Sequence, residues 1–414
     1  LNMIKGNCLL AESGGPTSVI NASAYGIIKE FLSLDSNFTV YAGIYGIKGI
    51  LEKNIIDVKG LDIESIESLK YMPSVAFGSC RYKLEDFKDN DKDYKKLIDI
   101  FERFNIKYFM YIGGNDSMDA AYKISKYCEN IGYEMNTIGV PKTIDNDLVG
   151  TDHCPGFGST AKYVSNVAME LWLDNNTYDK ESIMIMEVMG RDAGWIAAST
   201  GILQKSGIEI NKLIYLPEIP FNEIEFLRDV KNSLKNNNKL LIVTSEGLKD
   251  GNGEYINVDN NCYQSDDFEH VQLGGIGRYL QQCLKNNVTN NVKLTEVGVI
   301  QRCAIHCASK TDIEEAEMVG RASIKYAIDG YSGYMTALYR VVGSKYSCNT
   351  KLIKLHKVRN KVKNVPINWL KGHGQVEDEL INYIEPLILG EVNSYGTNGL
   401  INCNNISIFR KKRF

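Results

Sequence analysis

One rhythm constrains this chain more than any single motif. Short apolar runs end in glycine or polar residues, and a helical pattern follows. Gly6 to Ala11 lead into Glu12-Ser13-Gly14-Gly15-Pro16, and Phe38 to Ala42 into Gly43-Ile44-Tyr45-Gly46. Tyr108 to Ile112 lead into Gly113-Gly114-Asn115-Asp116-Ser117, and Ile183 to Val188 into Met189-Gly190-Arg191-Asp192. Leu240 to Thr244 and Val297 to Ile300 precede Ser245-Glu246-Gly247 and Gln301-Arg302 in the same way. Strands alternating with helices imply an α/β fold whose parallel sheets are covered on both faces. Pro16 suits a first helical position, with Ile20, Ala24, Ile27 and Phe31 following at helical spacing. The unusual polar residues gather where strands end, which is where open α/β sheets bind ligands.

At 414 residues the chain is long enough for two domains. A net charge of −4 argues against a general nucleic-acid binder, while leaving room for local basic pockets. No apolar run is long enough to span a bilayer, and Leu1-Asn2-Met3-Ile4-Lys5-Gly6 lacks a signal-peptide apolar region. The 10 cysteines show no short-spaced pairing framework, which fits reduced thiols and a cytoplasmic setting. Cys303, His306 and Cys307 have no second pair at finger-like spacing, so they do not read as a zinc site. The Lys- and Arg-rich stretch from Lys351 to Lys363 reads as a solvated helix face.

Pro141-Lys142-Thr143-Ile144-Asp145-Asn146-Asp147 carries the densest chemistry. Pro141 favours extended geometry at Val140, so the run Ile138 to Val140 reads as a strand that spills into a polar loop. Asp145 and Asp147 stand two apart, so in an extended segment they share a side and need a cation, a donor or a shared proton. Lys142 is near enough to be that cation, and such a cluster suits proton transfer and phosphate handling. The glycine turns Ser13-Gly14-Gly15 and Gly113-Gly114 lie between strand and helix, where backbone N–H groups can approach a phosphate. An aspartate such as Asp116 beside phosphate is unfavourable unless it holds a metal or excludes further negative charge. No Walker A pattern is present, and Gly156-Phe157-Gly158 follows the acidic loop rather than a strand, so it reads as a helix start.

Taken together, Ser13-Gly14-Gly15, Gly78-Ser79-Cys80-Arg81, Gly113 to Ser117, Thr143 to Asp147, Glu187 to Arg191, Glu246 and Gln301-Arg302 closely resemble the phosphofructokinase family, in family order. Family members that use ATP carry glycine where this chain has Asp116 and again where it has Lys142; aspartate and lysine resemble the pyrophosphate-dependent branch. The resemblance implies two Rossmann-like three-layer domains with the active site in the crevice between them. It implies reversible phosphoryl transfer from pyrophosphate to the 1-hydroxyl of fructose 6-phosphate, with Mg²⁺. Asp145 would be the general base, Lys142 would stabilise the transferring group, and Asp116 would exclude a nucleotide. Gly14, Gly15, Arg81 and Lys142 would bind pyrophosphate. Thr143, Ile144, Asp145, Asp147, Met189, Gly190, Arg191, Glu246 and Arg302 would bind the sugar phosphate, Arg302 from either its own or a neighbouring subunit. Asp116 would lead the metal ligands, with Asn115 a weak one because it stands where the family usually has aspartate.

The chain departs from the family pattern at Ser182 and Thr311, where arginines are expected, and Lys310 or Arg278 would be the substitutes. Residues 1–152 with about 313–350 would form the pyrophosphate domain, 153–312 the sugar-phosphate domain, and 351–414 a helical extension. The family's shared sites imply a homodimer or homotetramer. Two alternatives stay open at this level: an ATP-dependent 6-phosphofructokinase, and a catalytically silent regulatory subunit of the same fold.

Overall fold

The computed structural model describes residues 4–34, 37–256, 275–343, 345–392, 396–397, 399–403 and 406–410. Two sheets organise it. The first contains β1 (Asn7–Glu12), β2 (Val40–Gly43), β3 (Ile55–Asp57), β4 (Ile106–Gly113) and β5 (Asn136–Pro141). The second contains β6 (Ser182–Val188), β7 (Lys212–Tyr215), β8 (Lys239–Ser245) and β9 (Val292–Glu296). The chain then returns to the first sheet with β10 (Tyr334–Arg340) and β11 (Cys348–Lys354). The seven-stranded sheet has the order β11-β10-β5-β4-β1-β2-β3, parallel in its centre with an antiparallel strand at each edge. The four-stranded sheet, β7-β8-β6-β9, is parallel throughout.

The central strands explain themselves. Cys8, Leu9, Leu10 and Ala11 of β1 are fully buried, as are Ile183 and Ile185 of β6, because helices cover both faces. On one face of the first sheet, Ile20, Ala24, Ile27 and Phe31 of the helix Ile20–Leu32 pack with Cys8, Leu10 and Val40. Tyr94, Leu97 and Phe101 of Lys92–Arg103 and Met118, Ala121 and Ile124 of Asn115–Ile131 cover the other. The helix Phe157–Asn175 crosses to the second half, where Ala161, Val164 and Trp172 enter its core. Asp312 caps that crossing helix by accepting from Gly156 N and Ser159 N, so the partial dinucleotide pattern is a helix start.

Several sequence readings need correction. The helix after Gly15 begins at Ile20, not Pro16, because Thr17 Oγ1 accepts from the N–H groups of Val19 and Ile20 and sets the start there. The last strand of the second sheet is Val292–Glu296; residues 297–300 turn instead, with Gly298 at a φ of 55°. The basic stretch from Lys351 is not one helix. Its first residues form the edge strand β11, only Leu355–Val358 are helical, and Lys363 is drawn inward. Beyond it, Leu380, Ile381, Ile384 and Leu387 pack into the second core, while Phe409 is buried against Phe77 in the first. No described helix is long and apolar enough to cross a membrane, and nine cysteines are free thiols among the described residues.

Candidate active site

The carboxyl ends of β1, β4 and β5 meet at one place. β1 delivers Ser13-Gly14-Gly15, and Gly14 takes a φ of 78°, which favours glycine there. Gly14 N donates to Cys80 O (3.3 Å) and Ser79 Oγ donates to Gly14 O (2.7 Å), so the loop carrying Arg81 is laced to the glycine turn. β5 delivers Lys142. Its main-chain N–H donates to Gly113 O (3.0 Å), and its buried Nζ donates to Gly15 O (2.7 Å). The ammonium therefore lies under the glycine turn, 3.2 Å from where a Cβ on Gly14 would stand. The guanidinium carbon of Arg302 lies 3.6 Å from a Cβ built on Gly15, within the same chain.

Electrostatics ties these groups together. Burial pushes the Lys142 ammonium down to about 8; Arg302 and Arg81 add to that shift, while Asp145 and Glu12 oppose it. Burial raises Asp145 above the usual carboxylate range, against the pull of Arg302, Arg191 and Lys142. Arg81 feels Arg302, Arg191, Asp116 and Asp145. Lys142, Arg81, Arg191 and Arg302 thus all act on Asp145, with Asp192 opposing them, an arrangement suited to a polyanion beside a base. Asp116 sits half-buried in the first turn of its helix, at the edge of this group.

The loop after Lys142 is held from behind. Asp145 N donates to Thr143 Oγ1 (3.1 Å), and Asn146 takes a φ of 55°. Burial and the neighbouring Asp145 raise Asp147 to about 7. Thr143 pairs with Gly156 in a lone bridge, joining the loop to the start of the crossing helix. The Ile144 side chain, expected among the sugar-phosphate contacts, is buried in the second core, in the same cluster as Phe157 and Trp195.

β6 and β8 supply the opposite wall. Gly190, at a φ of 133°, donates to Glu246 Oε1 (3.3 Å), and Ser245 Oγ donates to Gly190 O. Met189 N donates to the buried Gln301 side chain (3.4 Å), which fixes the turn before Arg302. Arg191 pairs with Asp192 (2.8 Å), which also accepts from Tyr255. Burial first, then Asp145, lifts Glu246 to about 7. The positions of the absent arginines lie apart from this wall in the chain. Ser182 Oγ is bonded to Asn175 at the opposite end of β6, and Thr311 starts the helix Lys310–Ile328. Lys310 pairs with Glu314 and Arg278 with Glu296.

A divalent cation needs hard oxygen donors, and Asp116, close enough to Arg81 to influence it, carries a carboxylate of that kind. Asn115 is tied to a distant segment: its Oδ1 accepts from Asn360 N (2.8 Å) and its Nδ2 donates to Lys361 O (2.5 Å). Sequence reasoning also missed Glu12, which is fully buried below the glycine turn, accepts from Phe77 N and is raised by burial to about 8. It missed Lys363 as well. The signal for Glu12 was in plain view, since a carboxylate ending an apolar strand is costly to bury.

Comparison with known proteins identifies the family. The phosphofructokinase family model matches residues 7–325. A protein of Xanthomonas campestris named pyrophosphate--fructose 6-phosphate 1-phosphotransferase is 37% identical over 99% of this chain and 99% of its own length. One of the same name from Halomonas elongata is 38% identical over 94% of this chain and 93% of its own. The crystal structure of a pyrophosphate-dependent phosphofructokinase from Nitrosospira multiformis superposes with a TM-score of 0.85 at 35% identity, covering 96% of this chain and 95% of that one. This chain belongs to the phosphofructokinase family.

Proposed function

We propose that this enzyme transfers a phosphoryl group from pyrophosphate to the 1-hydroxyl of fructose 6-phosphate, reversibly, giving fructose 1,6-bisphosphate and orthophosphate. The observation that carries the donor assignment is the buried Lys142 ammonium, anchored on Gly15 O among Arg81 and Arg302 with Asp145 beside it. Asp145 takes the hydroxyl proton as the sugar oxygen attacks phosphorus, the bridging P–O bond breaks, and orthophosphate leaves. Lys142 and Arg81 meet the charge that gathers on the departing phosphate. Gly14 and Gly15 leave room for the donor against the backbone. Asp116 presents a negative charge where a nucleotide's further phosphate would lie, which favours the smaller donor.

Arg191, Glu246, Met189 and Gly190 form the sugar-phosphate wall, with Thr143 and Asp147 lining the loop side and Arg302 reaching the 6-phosphate. Asp116 and the pyrophosphate oxygens would hold a divalent cation, for which we propose Mg²⁺; when bound, it neutralises part of the donor's charge. The donor half would be 1–152 with the return segment from 313, which β11 carries past 350 to Lys354, and the acceptor half 153–312. Val299 and Ile300 are 65% and 61% exposed beside Gln301, which supports a homodimer or homotetramer. A cytoplasmic location fits the free thiols. Phosphorus NMR of the enzyme with Mg²⁺, fructose 6-phosphate and pyrophosphate tests the reaction: a sugar 1-phosphate resonance and orthophosphate should grow together. Loss of pyrophosphate without a new sugar phosphate would overturn it.

A further inference from the structure

We infer that residues 359–365 are a strap that sets the geometry of the catalytic loop, and that Lys363 is the positioning residue that pins it. The stretch lies beyond residue 325, where the family match ends. It touches two of the motif segments and the stretch just after a third. Arg359 pairs with Asp119 and lies 4.3 Å over the Tyr122 ring, on the helix that starts at Asn115. Asn360 and Lys361 occupy both ends of the Asn115 amide.

Lys363 then makes the central attachment. Its main-chain N–H donates to Asp147 O (2.7 Å). Its Nζ donates to Asp152 O (2.8 Å), Thr151 O (3.3 Å) and Asn146 Oδ1 (3.3 Å). Its carbonyl accepts from Trp195 Nε1 (2.7 Å), in the segment just after Arg191, and its Nζ stands 5.3 Å from that ring. Val365 N donates to Glu218, whose carboxylate also accepts from Gly194 N. One short segment therefore fixes the donor-side helix, the aspartate loop and the acceptor wall relative to each other.

The point of leverage is Asn146, between Asp145 and Asp147. Its left-handed φ of 55° is one that asparagine tolerates better than most non-glycine residues, and its side chain is held in place from several sides. The surroundings are explicit: Asn146 Oδ1 accepts from Cys154 N and Lys363 Nζ, and Nδ2 donates to Tyr383. Tyr383 in turn donates to Asp152 O, the carbonyl that Lys363 also holds. Releasing Lys363 frees Asn146 on one side and Asp147 O on the other, and Asp145 lies between them. Among the described residues the Lys363 bonds run to Asn146, Asp147, Thr151, Asp152 and Trp195, and not to Gly14, Gly15, Arg81 or Lys142, so donor binding should be spared.

The inference rests on Asp145 as the base, and the experiment separates the two. Full-length Lys363→Met, Lys363→Arg, Trp195→Phe and Asp145→Asn are assayed with pyrophosphate well below their melting temperatures. Displacing a base by a fraction of an ångström should lower kcat of Lys363→Met by ~10–100-fold while KM for pyrophosphate stays within ~3-fold. Lys363→Arg, which keeps a cation with several donors, should recover most of that loss. Trp195→Phe removes one bond to the strap and should lower kcat by ~3–10-fold. The double variant should lose little beyond Lys363→Met alone, since both act through one strap.

A kcat within ~2-fold of the parent for Lys363→Met, with only its melting temperature lowered, would overturn the strap. So would a Lys363→Arg no better than Lys363→Met. If Lys363→Met fails to fold, Trp195→Phe decides, and an unchanged kcat overturns it. Retained activity in Asp145→Asn would instead remove the base assignment, whatever Lys363 does.

Discussion

The two walls of the cleft are built differently. On the donor wall, the functional groups are tied to backbone: Lys142 Nζ to Gly15 O, Gly14 N to Cys80 O, Ser79 to Gly14 O. On the acceptor wall they are tied to other side chains. Arg191 pairs with Asp192, Asp192 with Tyr255, and Gly190 leans on the Glu246 carboxylate. Backbone anchors leave a cation in place before the ligand arrives, so little reorganisation is needed at the moment of reaction. Side-chain pairs must be rearranged or shared when a sugar phosphate binds. The donor wall therefore works chiefly on the chemical step and the acceptor wall chiefly on affinity.

Substitutions on either side can break that contrast. Asp145→Asn should have the largest effect, lowering kcat by ~10²–10⁴-fold, the usual share of a general base; a loss under ~10-fold in steady-state assays would defeat that role. Lys142→Met should lower kcat by ~10²–10³-fold, as when one preorganised transition-state donor is removed. Arg191→Gln should show the opposite signature. KM for fructose 6-phosphate should rise by ~10-fold or more, as for loss of one charged hydrogen bond, with kcat less affected. If Arg191→Gln changed kcat alone, the division between the walls would fail.

The pH profile sharpens the same contrast with a smaller effect. Lys142 must be charged, and its value is depressed to about 8, so kcat/KM should fall as pH rises through that region. Asp145 must be ionised and its value is raised, so the acid limb should lie above the ordinary aspartate range. Lys142→Arg should keep the cation and lose the alkaline limb near 8. A profile in Lys142→Arg identical to the parent's would assign that limb to another group.

Much of this was readable in the chain because its signals are local. Apolar runs ending in glycine gave the strands and their ligand-binding ends, and the resemblance carried by Asp116 and Lys142 pointed to pyrophosphate as the donor. Where local signals were absent, the reading slipped. Val297 to Ile300 has strand-like residues, yet Gly298 turns the chain and the half-exposed Val292–Glu296 forms the edge strand. Ile144 sits inside a polar motif, but its side chain satisfies the second core. Asn115 and Lys363 depend on a contact between segments more than 200 residues apart in the chain, which no spacing rule could bring together. The apolar residues of the basic stretch, Leu355, Val358, Val362 and Val365, recur at helical spacing, so nothing local signalled that only Leu355–Val358 would be helical.

The central claim is that the charges at positions 116 and 142 choose the phosphoryl donor. Its most direct test is one coupled assay of the parent enzyme and Asp116→Gly, each with Mg²⁺, fructose 6-phosphate, and either pyrophosphate or ATP. The parent should turn over with pyrophosphate and show little or no rate with ATP, while Asp116→Gly should gain measurable ATP binding or turnover. Faster turnover of the parent with ATP than with pyrophosphate would contradict the account.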